Sequence, residues 1–145
     1  MEIDNKTQYR PERLLEELVR GYDTSHLRVE VKHARGAQNW TGTYYLGYRL
    51  IRVRINPATS YPCCVRFATG EYADRYRRGA YQYWSQRLQL VQFGSAEQLI
   101  AAGFLHEFSH YLDHQAGRNT RWKQTKADKF ALGMVQQYAI GQLVH

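Results

Sequence analysis

The stretch FLHEFSHYLDH, from Phe104 to His114, decides the fold, because it combines a strong helix pattern with a dense group of reactive side chains. It places three histidines, two carboxylates and five large apolar residues in eleven positions. Upstream, Ser95 and Gln98 have the spacing of a helix capping box, and downstream Gly117 is typical of a helix end. The sequence therefore predicts one long helix over about residues 95–116.

The apolar and polar side chains of this helix fall on opposite faces. At 100° per residue, Ile100, Phe104 and Phe108 share one arc. The polar groups share an opposite arc about 100° wide, and they are His106, Glu107, His110 and His114. This pattern predicts a helix that packs by its apolar face and leaves its polar face for chemistry or for solvent.

The polar face contains an H-E-x-x-H motif, HEFSH at residues 106–110. Histidines four residues apart on a helix have Cβ atoms about 6 Å apart, so both imidazoles can bind one Zn²⁺. Glu107 then lies beside the ion, where it can take a proton from metal-bound water and pass it to a leaving amine. The motif predicts His106 and His110 as zinc ligands and Glu107 as the catalytic base. The alternative is a solvent-facing stripe where these residues are merely tolerated.

A catalytic zinc ion needs a third protein ligand, which we expect on the following helix, about Lys123 to Gln142. His114 lies about 12 Å along the axis from His106, too far to join the site. Asp128 stands at the edge of an apolar arc, with Gln124 one turn earlier, and a buried carboxylate needs a strong partner. We predict Asp128 as the third ligand. Asp128 has two alternative roles. It could hold the second nitrogen of a ligand histidine, or it could be a surface aspartate paired with a lysine.

Two further roles stay open at this stage. Asp113, three residues after His110, is placed either to hold an imidazole in its metal-binding tautomer or to be an ordinary solvated aspartate. A tyrosine or an arginine would be needed to stabilise the oxyanion formed when a peptide bond is attacked. With twelve tyrosines in the chain, no single residue can be named for that role.

The segments LHEFSHYLDH, residues 105–114, and KADKFAL, residues 126–132, together resemble the zincin metallopeptidases. The chain is most similar to small bacterial gluzincin-like domains, the ImmA/IrrE and SprT-like groups. In these, a helix carries HExxH and a following helix with a pattern like E-x-x-A-D-x-F-A supplies the third ligand. The resemblance covers about residues 95–135 and implies a zinc-dependent peptidase acting on a peptide or protein substrate.

The chain departs from this family pattern at one position. Where the family has its glutamate ligand, this sequence has Gln124, and a neutral amide is a poor zinc ligand. Either Asp128 replaces it, or the third ligand lies elsewhere, or the site is weak. The resemblance also implies a sheet whose edge strand lines the cleft, for which we predict Arg49–Ile55, and to which an extended peptide could add.

The rest of the sequence predicts an α+β fold, a single zincin-like domain over residues 1–145 with a twisted, mostly antiparallel sheet. The expected order is α-β-β-β-loop-β-α-α, with the HExxH helix followed by a C-terminal helix. Apolar-polar alternation or capping residues mark the elements outside these two helices, a helix at 11–20 and strands within 26–33, 41–56 and 87–93. Residues 57–86 have no clear pattern.

Composition bears on location and on partners. The chain has no apolar run long enough for a bilayer and no secretory signal at its N-terminus, so we expect a cytoplasmic protein. Cys63 and Cys64 are adjacent, lack spaced partners, and are expected to be reduced. The net charge of +7 could attract phosphate.

One segment suggests a different class of function. RYRRGAYQYW, residues 75–84, interleaves arginines and aromatic residues, the types that bind phosphates and stack on bases. The alternative is a loop whose aromatic side chains cover the sheet while its arginines face water. Gln124 keeps open a third possibility, a zincin-fold binding or sensor module without turnover.

Overall fold

The computed structural model describes the backbone of all 145 residues and every side chain except those of residues 73–76 and 84. In this described chain, three α-helices and seven β-strands follow one another. Their bounds in chain order are β1 Glu2–Asn5, α1 Glu12–Leu18, β2 Arg28–His33, β3 Trp40–Tyr45, β4 Leu50–Ile55, β5 Cys63–Arg78, β6 Tyr81–Phe93, α2 Ala96–Gln115, α3 Gln124–Gln137 and β7 Gln142–Val144. A 3₁₀ turn, Leu46–Tyr48, joins β3 to β4.

The strands form two sheets, where the sequence analysis expected one. The first has the order β1-β2-β4-β3, in which β1, β2 and β4 are parallel and β3 is antiparallel to β4. The second has the order β5-β6-β7 and is antiparallel throughout. Three of the five strand pairings are therefore antiparallel, and the predicted α+β class with mostly antiparallel sheets is confirmed.

The strand predictions succeeded where one sheet face is buried. Ile51, Val53 and Ile55 of β4 are fully buried and alternate with arginines, as expected for a strand with one apolar face. The predicted edge strand, Arg49–Ile55, is wrong, because β4 lies between β2 and β3. The edge strands of this sheet are β1 and β3, and β3 packs against α2.

Helix α2 is buried on nearly all sides, because it packs on β3 and β4 and also against α3. The sequence predicted a helix with one buried and one open face, but in the structure most of both faces is buried. Its supposedly open arc is covered, and Glu107 and His110 are each only 7% exposed. The alternative of a solvent-facing stripe is wrong for these two residues.

The ends of α2 agree closely with the sequence prediction. Ser95 Oγ accepts a hydrogen bond from the Gln98 amide at 3.2 Å, which is one half of the predicted capping box. The other half differs, since the Gln98 side chain accepts from the backbone amide of Gly94 at 2.8 Å. Both bonds satisfy donors at the start of the helix.

The last helix is shorter than predicted. α3 ends at Gln137, after which Ala139 (φ 52°) and Gly141 (φ 80°) turn the chain into β7. A Cβ at Gly141 would lie 2.7 Å from the backbone oxygen of Gln92, so glycine allows β7 to approach β6. None of the helices in the described part of the chain combines the length and apolar character that crossing a bilayer needs.

Candidate functional site

The first motif histidine, His106, is held between two residues of α3. Its Nδ1 lies 2.7 Å from Asp128 Oδ1, and its Nε2 lies 2.5 Å from Gln124 Oε1. A neutral imidazole has a single N–H, so it can donate to only one of these two oxygens. With the Gln124 oxygen facing Nε2, both ring nitrogens need a proton, whereas an amide turned by 180° would donate its NH2 group to Nε2 of a neutral ring. Burial lowers the pKa of His106, but Asp128 and the charge of Glu107 outweigh it and raise the pKa overall.

Asp128 joins three elements through its two carboxylate oxygens. Oδ1 binds His106 on α2, and Oδ2 accepts a hydrogen bond from the backbone amide of Ala68 on β5 at 2.9 Å. Asp128 therefore contacts Nδ1 of the His106 ring, and Gln124 contacts Nε2. Such a carboxylate fixes the tautomer and orientation of a ligand histidine. Asp128 as third ligand stays a prediction, and its contacts favour the alternative role, a partner of the second nitrogen of His106.

Gln124, the first residue of α3, occupies the position expected of a third ligand. Its side-chain oxygen contacts His106 Nε2, and it lines the cleft together with His110, whose ring centroid is 5.3 Å from that of His106. Burial and the nearby His106 lower the pKa of His110, which favours the neutral ring that a metal requires. The sequence located Gln124 but discounted it because of its neutral charge.

Glu107 lies beside this pair under the edge strand β3. Its Oε1 is 4.0 Å from His106 Nε2. Burial raises the pKa of Glu107, partly offset by His106 and by a hydrogen bond from the Tyr44 backbone amide. A Cβ on Gly42 would lie 3.1 Å from the Glu107 Cγ and Oε1 atoms, a tight contact, so glycine at this position favours the close approach of β3 to the carboxylate.

These side chains open into a cleft of about 220 Å³. It is lined by Gly42, Thr43, Tyr44, Leu46, Glu107, His110, Thr120 and Gln124. The carbonyl of Asn39, just before β3, accepts a hydrogen bond from the Asn56 amide and therefore faces β4. Because backbone groups point to alternate sides along a strand, those of Gly42 and Tyr44 point away from β4. The cleft thus has an open strand edge on one side and the motif residues on its floor.

The motif implies a zinc ion, which requires three protein donors around it. Among the described residues, no group of three or more His, Cys, Asp and Glu side chains is arranged to hold a metal ion. Two imidazoles and an amide oxygen do converge here, and the second nitrogen of His106 is held by a carboxylate. A divalent cation bound here would have the His106 and His110 imidazoles and the uncharged Gln124 amide as its nearest donors.

Other predicted residues have structural roles. Asp113 does not hold His110, since its Oδ1 accepts from Arg118 Nε at 2.8 Å and from Lys126 Nζ at 2.6 Å. These bonds tie the end of α2 to the start of α3. Cys63 is buried and Cys64 exposed, and both are free thiols, as expected.

Tyr44 and its partner His114 border the cleft. The Tyr44 hydroxyl lies 2.6 Å from His114 Nδ1, and burial raises the pKa of Tyr44 to about 12, so the phenol stays protonated. The sequence analysis did not single out Tyr44 or Gly42. The glycine within the TGTYY strand pattern is the signal that could have marked a close backbone approach.

No protein-family model, no curated protein and no solved structure matches the chain significantly.

Proposed function

We propose that the chain is a zinc-dependent metallopeptidase with a small zincin-like fold, in which His106, His110 and Gln124 hold the metal. One observation carries the proposal, the convergence of His106 Nε2, the His110 ring and the Gln124 oxygen beside the buried Glu107 carboxylate. The resemblance of the HExxH helix and the following helix to the zincins supports the same assignment. Zinc, when bound, supplies a Lewis acid that polarises a peptide carbonyl and lowers the pKa of water.

Glu107 is the proton carrier in this proposal. Its carboxylate faces the cleft, and burial raises its pKa toward the range in which a carboxylate both accepts and returns a proton near neutral pH. It accepts the proton of the attacking water and delivers it to the leaving amine. The Tyr44 amide holds the carboxylate in place during both transfers.

The edge strand β3 binds the substrate. The outward-facing backbone groups of Gly42 can pair with an extended peptide, which adds a strand to the sheet and lies across the floor of the cleft. Leu46, 45% exposed at the end of the cleft, offers an apolar surface to a substrate side chain. The substrate class is therefore an unfolded or extended polypeptide segment.

The test is metal content together with cleavage. Untagged protein supplemented with zinc is expected to carry about one equivalent and to cut unstructured peptides of mixed sequence. Glu107→Gln should keep its zinc and lose cleavage by about 10²-fold or more. Glu16→Gln, an exposed glutamate on α1, is the matched control and should leave both unchanged.

Two results would count against the proposal. Wild-type protein with less than about a tenth of an equivalent of zinc after supplementation would exclude the metal site. Full zinc without cleavage of any peptide would favour the alternative, a zincin-fold binding or sensor module. The neutral Gln124 in the third position is the observation that favours this alternative.

A further inference from the structure

The two longest strands project from the body of the protein as a two-stranded arm, defined here as residues 70–86 of β5 and β6. The register shifts between Ala68 and Tyr72, where Gly70 adopts a φ of +82°. Beyond this irregularity the arm extends about 30 Å, at ~3.3 Å per residue. Up to residue 83 its described side chains are exposed, and none in the whole arm belongs to the hydrophobic core.

Positive charge is concentrated at the end of this arm. Residues 75–86 have three arginines and no acidic residue, whereas the two acidic residues of the arm, Glu71 and Asp74, come before them. Arg77 and Arg78, beside the turn, form no ion pair with any described side chain, whereas Arg87 at the base lies 3.7 Å from Glu71. Lys129 of α3 lies next to Gly70 at the base of the arm.

Exposed tyrosines lie beside these arginines, and Arg78 shares a face of the arm with two of them, whereas Arg77 pairs with Gln82 on the opposite face. Tyr81 is 70% exposed and Tyr72 is 60% exposed. Arg78 pairs across the turn with Tyr81, and cross-strand neighbours share a face of the ribbon. Tyr83 follows on that face, its ring centroid 6.4 Å from that of Tyr81. The alternative in which aromatic side chains cover the sheet is wrong for the described tyrosines.

We propose that the arm binds single-stranded nucleic acid, with Arg77 and Arg78 on phosphates and Tyr81 stacked against a base. Guanidinium groups without carboxylate partners suit a polyanionic backbone, and exposed tyrosine rings suit unpaired bases. An acidic polypeptide would use the arginines but not the rings. The side chains of Arg75, Tyr76 and Trp84, which the sequence pattern also included, lie outside the described residues. This function is independent of the chemistry of the cleft.

The test is fluorescence anisotropy of the intact protein with a labelled 20-nucleotide single-stranded DNA of mixed sequence, at several salt concentrations. Arg77→Gln/Arg78→Gln should weaken binding and reduce the slope of log K against log salt by about 1.4, two contacts at ~0.7 each. Tyr81→Ala should weaken binding about fivefold or more. Arg13→Gln/Arg20→Gln, two exposed arginines on or just after α1, is the matched control and should bind like wild type.

Other outcomes would overturn the proposal. No binding of the DNA at 50 mM salt rejects it outright. An equal loss in the arm variant and the α1 control indicates attraction by net charge alone. Equal affinity for polyglutamate, with no effect of Tyr81→Ala, assigns the arm to acidic polypeptides, and a preference for the duplex form of the same DNA rejects base stacking. Thermal melts of each variant show whether the fold is retained.

Discussion

Gln124 and Asp128 lie one helical turn apart on α3 and contact opposite nitrogens of one imidazole ring. This division of roles between two neighbouring residues is the central feature of the site. The charged residue orients His106, and the neutral residue faces the second histidine and Glu107. A carboxylate in place of the amide would add a charge where the proposed metal ion binds.

Gln124→Glu is accordingly expected to raise zinc affinity by about tenfold or more. Two unit charges ~4 Å apart interact by about 4 kcal/mol at an effective dielectric of 20, well above the ~1.4 kcal/mol of a tenfold change. Competition with a chromophoric chelator measures the affinity. Gln136→Glu makes the same charge change at an exposed position of α3 and should have little effect. Unchanged or weaker binding in Gln124→Glu would contradict Gln124 as the third ligand.

Asp113 is the residue most dependent on its partners, since it is 1% exposed and its Oδ2 has no hydrogen-bond partner among the described atoms. Burial acts to raise its pKa, but Lys126 and Arg118 outweigh this and lower the pKa overall. The pKa of Asp113 in the folded protein is thus below its value of about 3.9 in the unfolded chain. Its ionised carboxylate therefore stabilises the fold, and this stabilisation is complete above the unfolded-state pKa. It is lost as the pH falls through the folded-state pKa.

Asp113→Asn should therefore lower the free energy of unfolding by about 2 kcal/mol at pH 7. The gap between wild type and variant should shrink as the pH falls below about 4, because the wild-type carboxylate is then protonated as well. Urea denaturation at several pH values measures both effects. Asp4→Asn, at a side chain that is 63% exposed, is the control and should change stability little. A gap that stays constant down to pH ~2.5 would exclude this electrostatic role.

At the scale of elements, the approach of β3 to α2 depends on two glycines. Gly42 lets the strand cross Glu107, and Gly103 lets the Trp40 ring lie against the helix. A Cβ at residue 103 would be 2.8 Å from Trp40 Cε3, closer than unbonded atoms come. The sequence shows a glycine at position 103 of the helix, but only the structure reveals that a tryptophan fills the space above it.

Gly103→Ala should destabilise the protein by about 1–3 kcal/mol, the usual cost of overpacking a well-packed contact. Gly133→Ala is a matched change in α3, where the added Cβ would meet nothing within 4 Å. That control should instead stabilise by about 0.5–1 kcal/mol, because alanine favours the helix. Urea denaturation of the two variants gives the comparison. Equal effects of the same sign would show that packing on Trp40 does not limit residue 103.

At the scale of the whole molecule, we expect the arm to add little to the free energy of unfolding, because none of its described side chains belongs to the core. The buried cluster joins both sheets and all three helices, and it includes Phe67, Val91 and Phe93 at the base of the second sheet. None of the described side chains of the arm is buried. Besides its own strand pairing, the arm has a hydrogen bond from Gln86 Nε2 to Thr125 Oγ1 of α3, 2.9 Å long, and we expect it to contribute little to the stability of the body.

Replacing residues 70–86 by Asn-Gly, a two-residue hairpin turn, should shorten the sheet without unfolding the protein. Thr69 and Arg87, which already hydrogen-bond at the base, would then flank the turn. The melting temperature should change by less than about 4 °C, corresponding to ~1 kcal/mol for a chain of this size. Differential scanning calorimetry measures it. Loss of a cooperative transition would mean that the arm is part of the core.

The sequence by itself determined the features that depend on residues close together in the chain. The α2 helix, its Ser95 cap and the alternation in β4 were predictable because each rests on contacts within about four residues. The relation of His106, Glu107 and His110 was predictable for the same reason, since helix geometry sets it. The arm, residues 70–86, was not, because strands exposed on both faces have no apolar alternation.

Only the tertiary structure decided which distant groups meet these residues. The choice between Gln124 and Asp128 depends on how α3 docks on α2, and the role of Asp113 on where Lys126 lies. The identity of the edge strand depends on sheet order, in which β4 lies between β3, its neighbour in sequence, and the more distant β2. Such contacts join residues far apart in the chain, and local propensity contains no information about which of several chemically suitable partners packing will bring together.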